Sequence, residues 1–365
     1  MPEFIPGLQL SEAFYHEAVK PILDTHFPGL AYSAALVGSG SEVLGFDTPM
    51  SSDHHWGPRV VLFLNETDFA AFGQPIHDQL ANELPFTFRN FSTNFTHPNP
   101  NDHGVQLLEE STTRPINHRV QVMTLQQFFN GVFALEYGQP LSAADWLTIP
   151  SQRLRAFTAG AVFHDGIGLE AIRQQFQYYP HDVWLYMLAA GWTRIGQEEH
   201  FVGRTGFVGD DLGSQVIAAR LVRDLMRLCF LMEKQYAPYP KWFGTAFSKL
   251  ACGERLTPIF RGVMLAESWR EREQSLAQAY EAVAQMHNAL GITEALPAKV
   301  SDFWGRPFKV IHGEQFASAI KACIQDEAVK RIPIDIGSID QFSDSTDLIE
   351  HIELRERLKV LYTAG

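Results

Sequence analysis

The sequence predicts an α+β protein, with a mixed-sheet N-terminal domain followed by a C-terminal helical bundle. Two observations carry that reading. Short apolar runs of strand length alternate with amphipathic stretches up to about residue 145, and from Ser151 onward the apolar residues recur at helical spacing. A chain of 365 residues that is 45% hydrophobic and 12% aromatic can bury more than one core. The expected divisions are 1–147 for the α/β domain, 148–295 for the bundle, and 296–365 for a helical and loop extension packed on it.

Taken in order, Ser11 to Asp24 places Phe14, Ala18, Ile22 and Leu23 near helical spacing behind a serine N-cap. Tyr32 to Val37 is a continuous apolar run and reads as a buried strand. Gly38-Ser39-Gly40-Ser41 turns the chain, because glycine takes positive φ at little cost, and Ser41 is placed to cap a short helix over Glu42-Val43-Leu44. Val60 to Leu64 is the second buried strand, and Asp68 to Leu84 a second amphipathic helix. Thr87 to Phe95 alternates as a strand does, His97 to His103 is a loop by its Pro and Asn content, and His118 to Leu125 is a further strand leading into a helix from Gln126. Beyond Ser151 the expectation is helical throughout. Pro180 starts a new helix, and a glycine-rich connection runs from Phe201 to Gly213. Helices follow over Ser214 to Tyr236 and Glu267 to Leu290, the last closed by Gly291. The tail mixes one or two helices with the polar segment Gly337 to Asp347.

The chemistry concentrates between the first two strands. Exposed N–H groups in a glycine-serine turn attract phosphate. Eleven residues separate Ser41 from Asp53-His54-His55, which stands just before Arg59 and the second strand. A phosphate-cradling turn and a metal-ligand triplet at the mouth of one strand bring a nucleotide and its cation together.

Gly40, Ser41, this spacing and Asp53 resemble the nucleotidyltransferase fold of polymerase-β-like enzymes, in which a Gly-Ser pair precedes Asp-x-Asp or Asp-x-Glu beside a strand. More widely the chain looks like an uncharacterised bacterial domain-of-unknown-function family in which such a domain precedes a long helical region. The resemblance implies a nucleotidyltransferase-like mixed sheet and binding of ATP or another nucleoside triphosphate as substrate. It further implies a divalent cation, Mg²⁺ or Mn²⁺, held by Asp53, by the residue at 55, and by a third acid on the strand around Val120 to Val122. His55 replaces the family's second carboxylate, and Gln121 stands where the third is expected. Imidazole suits Mn²⁺, Co²⁺ or Zn²⁺ better than Mg²⁺, and an amide is a weak ligand. The implied activity is transfer of a nucleoside monophosphate to a hydroxyl of a small molecule or protein. The alternative is a catalytically impaired nucleotide-binding or regulatory module with the same fold.

The helical region supplies further candidates. Arg220, Arg223 and Arg227 recur at three- and four-residue spacing and so share one helix face, either as helix ion pairs or as a grip on a triphosphate. Lys241 with Trp242 offers a cation and a stacking ring, and Arg59 another phosphate contact. Glu198, in Gln197-Glu198-Glu199-His200, is a candidate general base toward the acceptor hydroxyl.

Other classes fit less well. Gly38-Ser39-Gly40 misses the dinucleotide pattern at Val43, and no Gly-x-Ser-x-Gly elbow occurs. A histidine-rich phosphohydrolase built on Asp53 with His54, His55, His97, His103 and His118 finds no HExxH helix in support. A net charge of −13 argues against nucleic acid as a partner. Cys229, Cys252 and Cys323 are widely spaced and form no CxxC pair, which points to a reducing cytoplasm. No signal segment or membrane span is expected.

Overall fold

The computed structural model describes residues 3–53, 56–101 and 104–363, and the backbone alone at Ser52 and Asp53. Two compact units emerge. The first comprises residues 1–139 and 153–177, the second 140–152 and 178–365.

The first unit is built on a four-stranded mixed sheet. The chain opens with α1 (Gly7–Phe14), a π-helical turn at Tyr15–Val19, and α2 (Lys20–His26). β1 (Tyr32–Leu36) follows, then a short 3₁₀ helix, Pro49–Asp53, and β2 (Arg59–Leu64). α3 (Glu66–Glu83) is capped by Asn65, whose side chain accepts the Asp68 N–H. The expected strand from Thr87 to Phe95 is instead a hairpin, β3 (Thr87–Phe88) and β4 (Phe91–Ser92), because Arg89 and Asn90 both take positive φ and fold the run back on itself. β5 (Arg119–Thr124) leads into α4 (Leu125–Phe133), fastened by a Thr124/Gln127 capping box. After α5 (Ala143–Thr148), which belongs to the second unit, α6 (Ser151–Thr158) is followed by β6 (Ala161–Asp165) and α7 (Leu169–Gln175).

The sheet order is β5-β2-β1-β6. β1 runs antiparallel to both β2 and β6, and β5 runs parallel to β2. β6 corrects the expectation of helix from Ser151 onward. Ala161 to Asp165 carries no helical stripe and pairs with the free edge of β1. One face of the sheet, with Ala34, Val60, Leu62 and Val120, packs on Leu10 and Phe14 of α1 and on Ile76 and Leu80 of α3. On the other, Phe63 meets Phe128 edge to face at 5.3 Å, and Phe128, Phe157, Phe133 and Phe176 continue an aromatic cluster. Such pairs add about 0.5–1.5 kcal/mol each beyond the area they bury.

The second unit is mostly helical. α8 (His181–Glu198) is buried without interruption from Val183 to Trp192, the mark of a central helix rather than a surface one. α9 (Phe201–Phe207) occupies part of the expected glycine-rich connection. Its glycines serve close packing, since a Cβ at Gly206 would collide with Trp269 and one at Gly203 with Phe308 and Glu273. Then come α10 (Asp211–Met232), α11 (Pro240–Phe247), α12 (Gly253–Leu265) and α13 (Trp269–Ala289). Gly291 follows α13 at φ 65°, the left-handed conformation expected of a helix stop. The tail contains a hairpin that the sequence reading missed, β7 (Ser301–Phe303) with β8 (Arg306–Val310), and then α14 (Gly313–Cys323). α14 lies so close to α8 that Trp192 and Phe316 stack at 4.3 Å. Short helices follow, α15 (Glu327–Lys330), α16 (Ile339–Phe342), α17 (Thr346–Glu350) and α18 (Arg355–Leu358), the last flanked by 3₁₀ turns at Ile352–Leu354 and Lys359–Tyr362.

Candidate functional site

Strand direction decides which residues meet in the first unit. Because β1 is antiparallel to β2 and β2 parallel to β5, the end of β1 and the beginnings of β2 and β5 lie at one end of the sheet. That end collects the turn Gly38 to Ser41 and Arg59 paired in register with Arg119, and the 3₁₀ helix Pro49–Asp53 precedes β2 in the chain. Arg59 donates through Nε to Glu42 Oε1 at 2.6 Å and through Nη2 to the Ser39 carbonyl. Both members of this ion pair are buried. Gly40, at φ 139°, lies against the guanidinium, where any Cβ would collide with it. Arg59 is therefore the internal brace of the turn.

Residues after Ser41 form a wound turn, closed by Phe46 N–H to the Ser41 carbonyl at 2.9 Å, and not the expected helix. Asp47 accepts the Gly7 N–H at 2.7 Å and the Trp56 indole N–H at 3.2 Å, tying the linker to the start of α1. Arg119, which the sequence reading passed over, lies beside Arg59. Burial, and then the charge of Arg59, lower its pKa to about 10, so it stays charged at neutral pH. Arg155, on α6, lies over the Phe46 ring at 5.4 Å, and the same helix accepts the Gly38 N–H through the Ala156 carbonyl.

Of the expected metal ligands, Asp53 ends the 3₁₀ helix and its side chain is not described, while His55 lies outside the described residues. Gln121 is exposed on β5, opposite Val61. Among the described residues no three His, Cys, Asp or Glu side chains converge as a metal set. The phosphohydrolase alternative loses His118. In that buried ring Nε2 donates to the His77 carbonyl at 3.0 Å and Nδ1 accepts the Val120 N–H at 3.1 Å, so both nitrogens are engaged. Burial lowers its pKa to about 4. His97 lines a groove of about 570 Å³ with His77, Asn82, Asn94 and Glu109, and His54 and His103 lie outside the described residues.

In the second unit, Arg220, Arg223 and Arg227 do share a face of α10, and each meets an acid. Arg220 Nη2 donates to Glu198 at 2.5 Å, while Arg223 and Arg227 both donate to Asp344, the latter at 2.9 Å. Arg194 of α8 joins them through Asp224 at 2.6 Å. No spacing along α10 reveals Arg194 or Asp344, since both come from other elements. Glu198 keeps one buried oxygen, Oε2, without a hydrogen bond. Its neighbour Glu199 is the more perturbed acid, with burial raising its pKa to about 8 although it accepts the Ile311 N–H at 2.6 Å. Lys241 Nζ lies over the adjacent Trp242 ring at 5.1 Å. α11 reaches the arginine face through Phe243, whose ring is 5.9 Å from the Arg227 guanidinium.

A family described as a domain of unknown function, DUF4037, matches residues 146–243, a stretch that includes α8, α9 and α10. No curated protein matches the chain. Among solved structures the chain is similar to a nucleotidyltransferase-like protein from Exiguobacterium sibiricum 255-15, at 9% identity and a TM-score of 0.31, over 78% of this chain and 77% of that one. No helix among the described residues is long and apolar enough to cross a membrane.

Proposed function

We propose that the chain binds a nucleoside triphosphate and transfers its nucleoside monophosphate to a hydroxyl of a small molecule or protein. The observation that supports this is the convergence, at one end of the first unit's sheet, of the braced Gly38–Ser41 turn with Arg119 and with Arg59, which Asp53 precedes by six residues in the chain. In such a transfer the acceptor oxygen bonds to the α-phosphorus as the bond to pyrophosphate breaks, and negative charge builds on the phosphate oxygens. A divalent cation held by Asp53 and His55, with Gln121 as a neutral third donor, would offset that charge. One carboxylate with an imidazole and an amide is a donor set for Mn²⁺ before Mg²⁺.

Within the chain itself, Gly40, Ser41 and Arg119 take phosphate oxygens, and Arg59 acts through the turn it braces. Arg220, Arg223, Arg227 and Lys241 supply cationic contacts on the second unit. Glu198 is the candidate base, held by Arg220. The three cysteines are free thiols, in keeping with a reducing cytoplasm, and the acidic net charge favours a small-molecule or protein acceptor over nucleic acid.

One observation favours the second reading, a nucleotide-sensing module without catalysis: Gln121, on the strand expected to carry the third acid, is neutral and exposed. Calorimetric titration of ATP and GTP with Mg²⁺ and then Mn²⁺, with pyrophosphate release followed in the same samples, separates the two. The enzyme requires metal-dependent binding and release, both lost in Asp53→Ala. Binding without release under any acceptor tried supports the sensor, and failure of every triphosphate to bind overturns both.

A further inference from the structure

The arginine face of α10 is closed by an acid from far along the chain. Asp344 lies between α16 and α17, 117 residues beyond Arg227 and 121 beyond Arg223, and it is the shared acceptor of both guanidinium groups. The carboxylate is about half exposed, and neither neighbouring helix exceeds five residues. Few buried contacts hold this segment: Ile339 and Gln341 of α16 are buried, whereas α17 buries none of its residues.

The match is incomplete. Nε and Nη2 lie on one edge of a guanidinium and together present two parallel donors to an oxyanion. On Arg227, Nη2 reaches Asp344 Oδ1, while Nε is buried with no acceptor. Asp344 turns its second oxygen to Arg223 Nη1 and, so placed, leaves Arg227 Nε unserved. A phosphoryl group, with three terminal oxygens in a tetrahedron, offers one oxygen to each of the three donors. Arg227 also borders a cavity of about 30 Å³ with Tyr179, whose buried hydroxyl likewise has no partner. Asp340 lines the same cavity, accepts the Ser151 N–H at 2.7 Å and is a second acid whose charge acts on Arg227.

We propose that Arg223 and Arg227 form a phosphoryl-binding site for which Asp344 is the built-in stand-in, so that a phosphate-bearing ligand and the segment 343–350 compete for the same guanidinium groups. The chain thus carries a latch on its own anion site. This rests on the nucleotide reading in taking phosphate as the ligand class and in sharing Arg223 and Arg227 with it, while Asp53 and the glycine turn play no part.

The probe is inorganic pyrophosphate, titrated calorimetrically into the full chain, with hydrogen exchange followed over residues 343–350. Asp344→Ala should bind it about fivefold more tightly than wild type, in keeping with removal of partly exposed ion pairs. Pyrophosphate should speed exchange in the segment of the wild type, and Arg223→Gln with Arg227→Gln should abolish both effects. Equal affinity in wild type and Asp344→Ala, no binding in either, or unchanged exchange in the segment overturns the proposal. Asp344→Asn keeps the side-chain shape and guards against a packing artefact: it must reproduce the tighter binding. Repeating the titration with ATP distinguishes the sources of the phosphoryl group. Loss of ATP binding with pyrophosphate binding retained would leave the latch standing and remove the nucleotide reading instead.

Discussion

In the first unit Arg59 is buried against Glu42, only 17 residues away, and the pair is enclosed by the turn it supports. In the second unit Arg223 and Arg227 stay partly exposed and share Asp344, an acid more than a hundred residues away, while Arg223 also donates to its neighbour Asp224. Both arrangements satisfy guanidinium groups with carboxylates, but they differ in what removal would leave. Taking Glu42 away strands a charge in a closed interior, where water cannot replace the lost partner. Taking Asp344 away leaves arginines that water or another anion can reach. The same chemistry is thus a fixed brace in one place and an exchangeable contact in the other.

The largest expected effect tests the brace. Glu42→Ala should destabilise the first unit by about 3–5 kcal/mol, the usual cost of breaking a buried pair from one side. Denaturant unfolding with hydrogen exchange resolved by unit would measure it, and a loss no larger than that of Asp344→Ala would erase the contrast.

Titration should separate the units next. Glu199, in the second unit, has a folded pKa of about 8 against an ordinary 4.5. The folded state therefore holds a proton that the unfolded state has released. The stability this proton contributes is full below pH 4.5 and is lost as pH rises through about 8, at up to about 1.4 kcal/mol per pH unit. Glu199→Gln should flatten that slope in a melting-temperature series. His118 in the first unit and His287 in the second work in the opposite sense. Burial lowers both to about 4 from 6.5, so their contribution is present above pH 6.5 and disappears as pH falls through about 4. Acid should therefore weaken the first unit through His118, while in the second the loss at His287 is opposed by the gain at Glu199 as pH falls from 6.5 to 4.5, and a rise of pH toward 8 should weaken the second unit alone.

A smaller effect is expected at the turn. Gly40→Ala forces a side chain into positive φ and against Arg59, at a cost of about 1–3 kcal/mol, read as a lower melting temperature. Smallest of all, Asp344→Ala should change stability by no more than about 1 kcal/mol, as expected of partly exposed pairs. A loss comparable to that of Glu42→Ala would show that the latch is a structural clamp.

Legibility in the sequence followed the range of the interactions. β1, β2, β5, and helices such as α10 and α13 are visible because their periodicity is local, and so is the arginine stripe on α10. The turn at Gly38 to Ser41 was readable for the same reason. β6 was not, because Ala161 to Asp165 is a strand only by virtue of the β1 edge it completes. The glycines of α9 looked like a flexible connection because their purpose, contact with Trp269 and Phe308, is set by residues far along the chain. Arg59 offered itself as a phosphate ligand by position, and only the fold reveals Glu42 beneath it. Asp344 and Arg194 reach the arginine face from other elements, beyond any local pattern.

The interleaving of the two units has a consequence for synthesis on the ribosome. β1 borders β2 on one side, but its other edge is covered only when Ala161 to Asp165 has been made. Before that strand arrives, residues 140–152 have already emerged and must wait for partners beyond residue 178. The nascent protein therefore passes through a stage in which a buried-type strand, Tyr32 to Leu36, shows an open edge to its surroundings. Open edges of that kind invite pairing with other chains. A ribosomal pause between the codons for residues 139 and 161 would prolong that exposure, so brisk translation across this stretch protects the product.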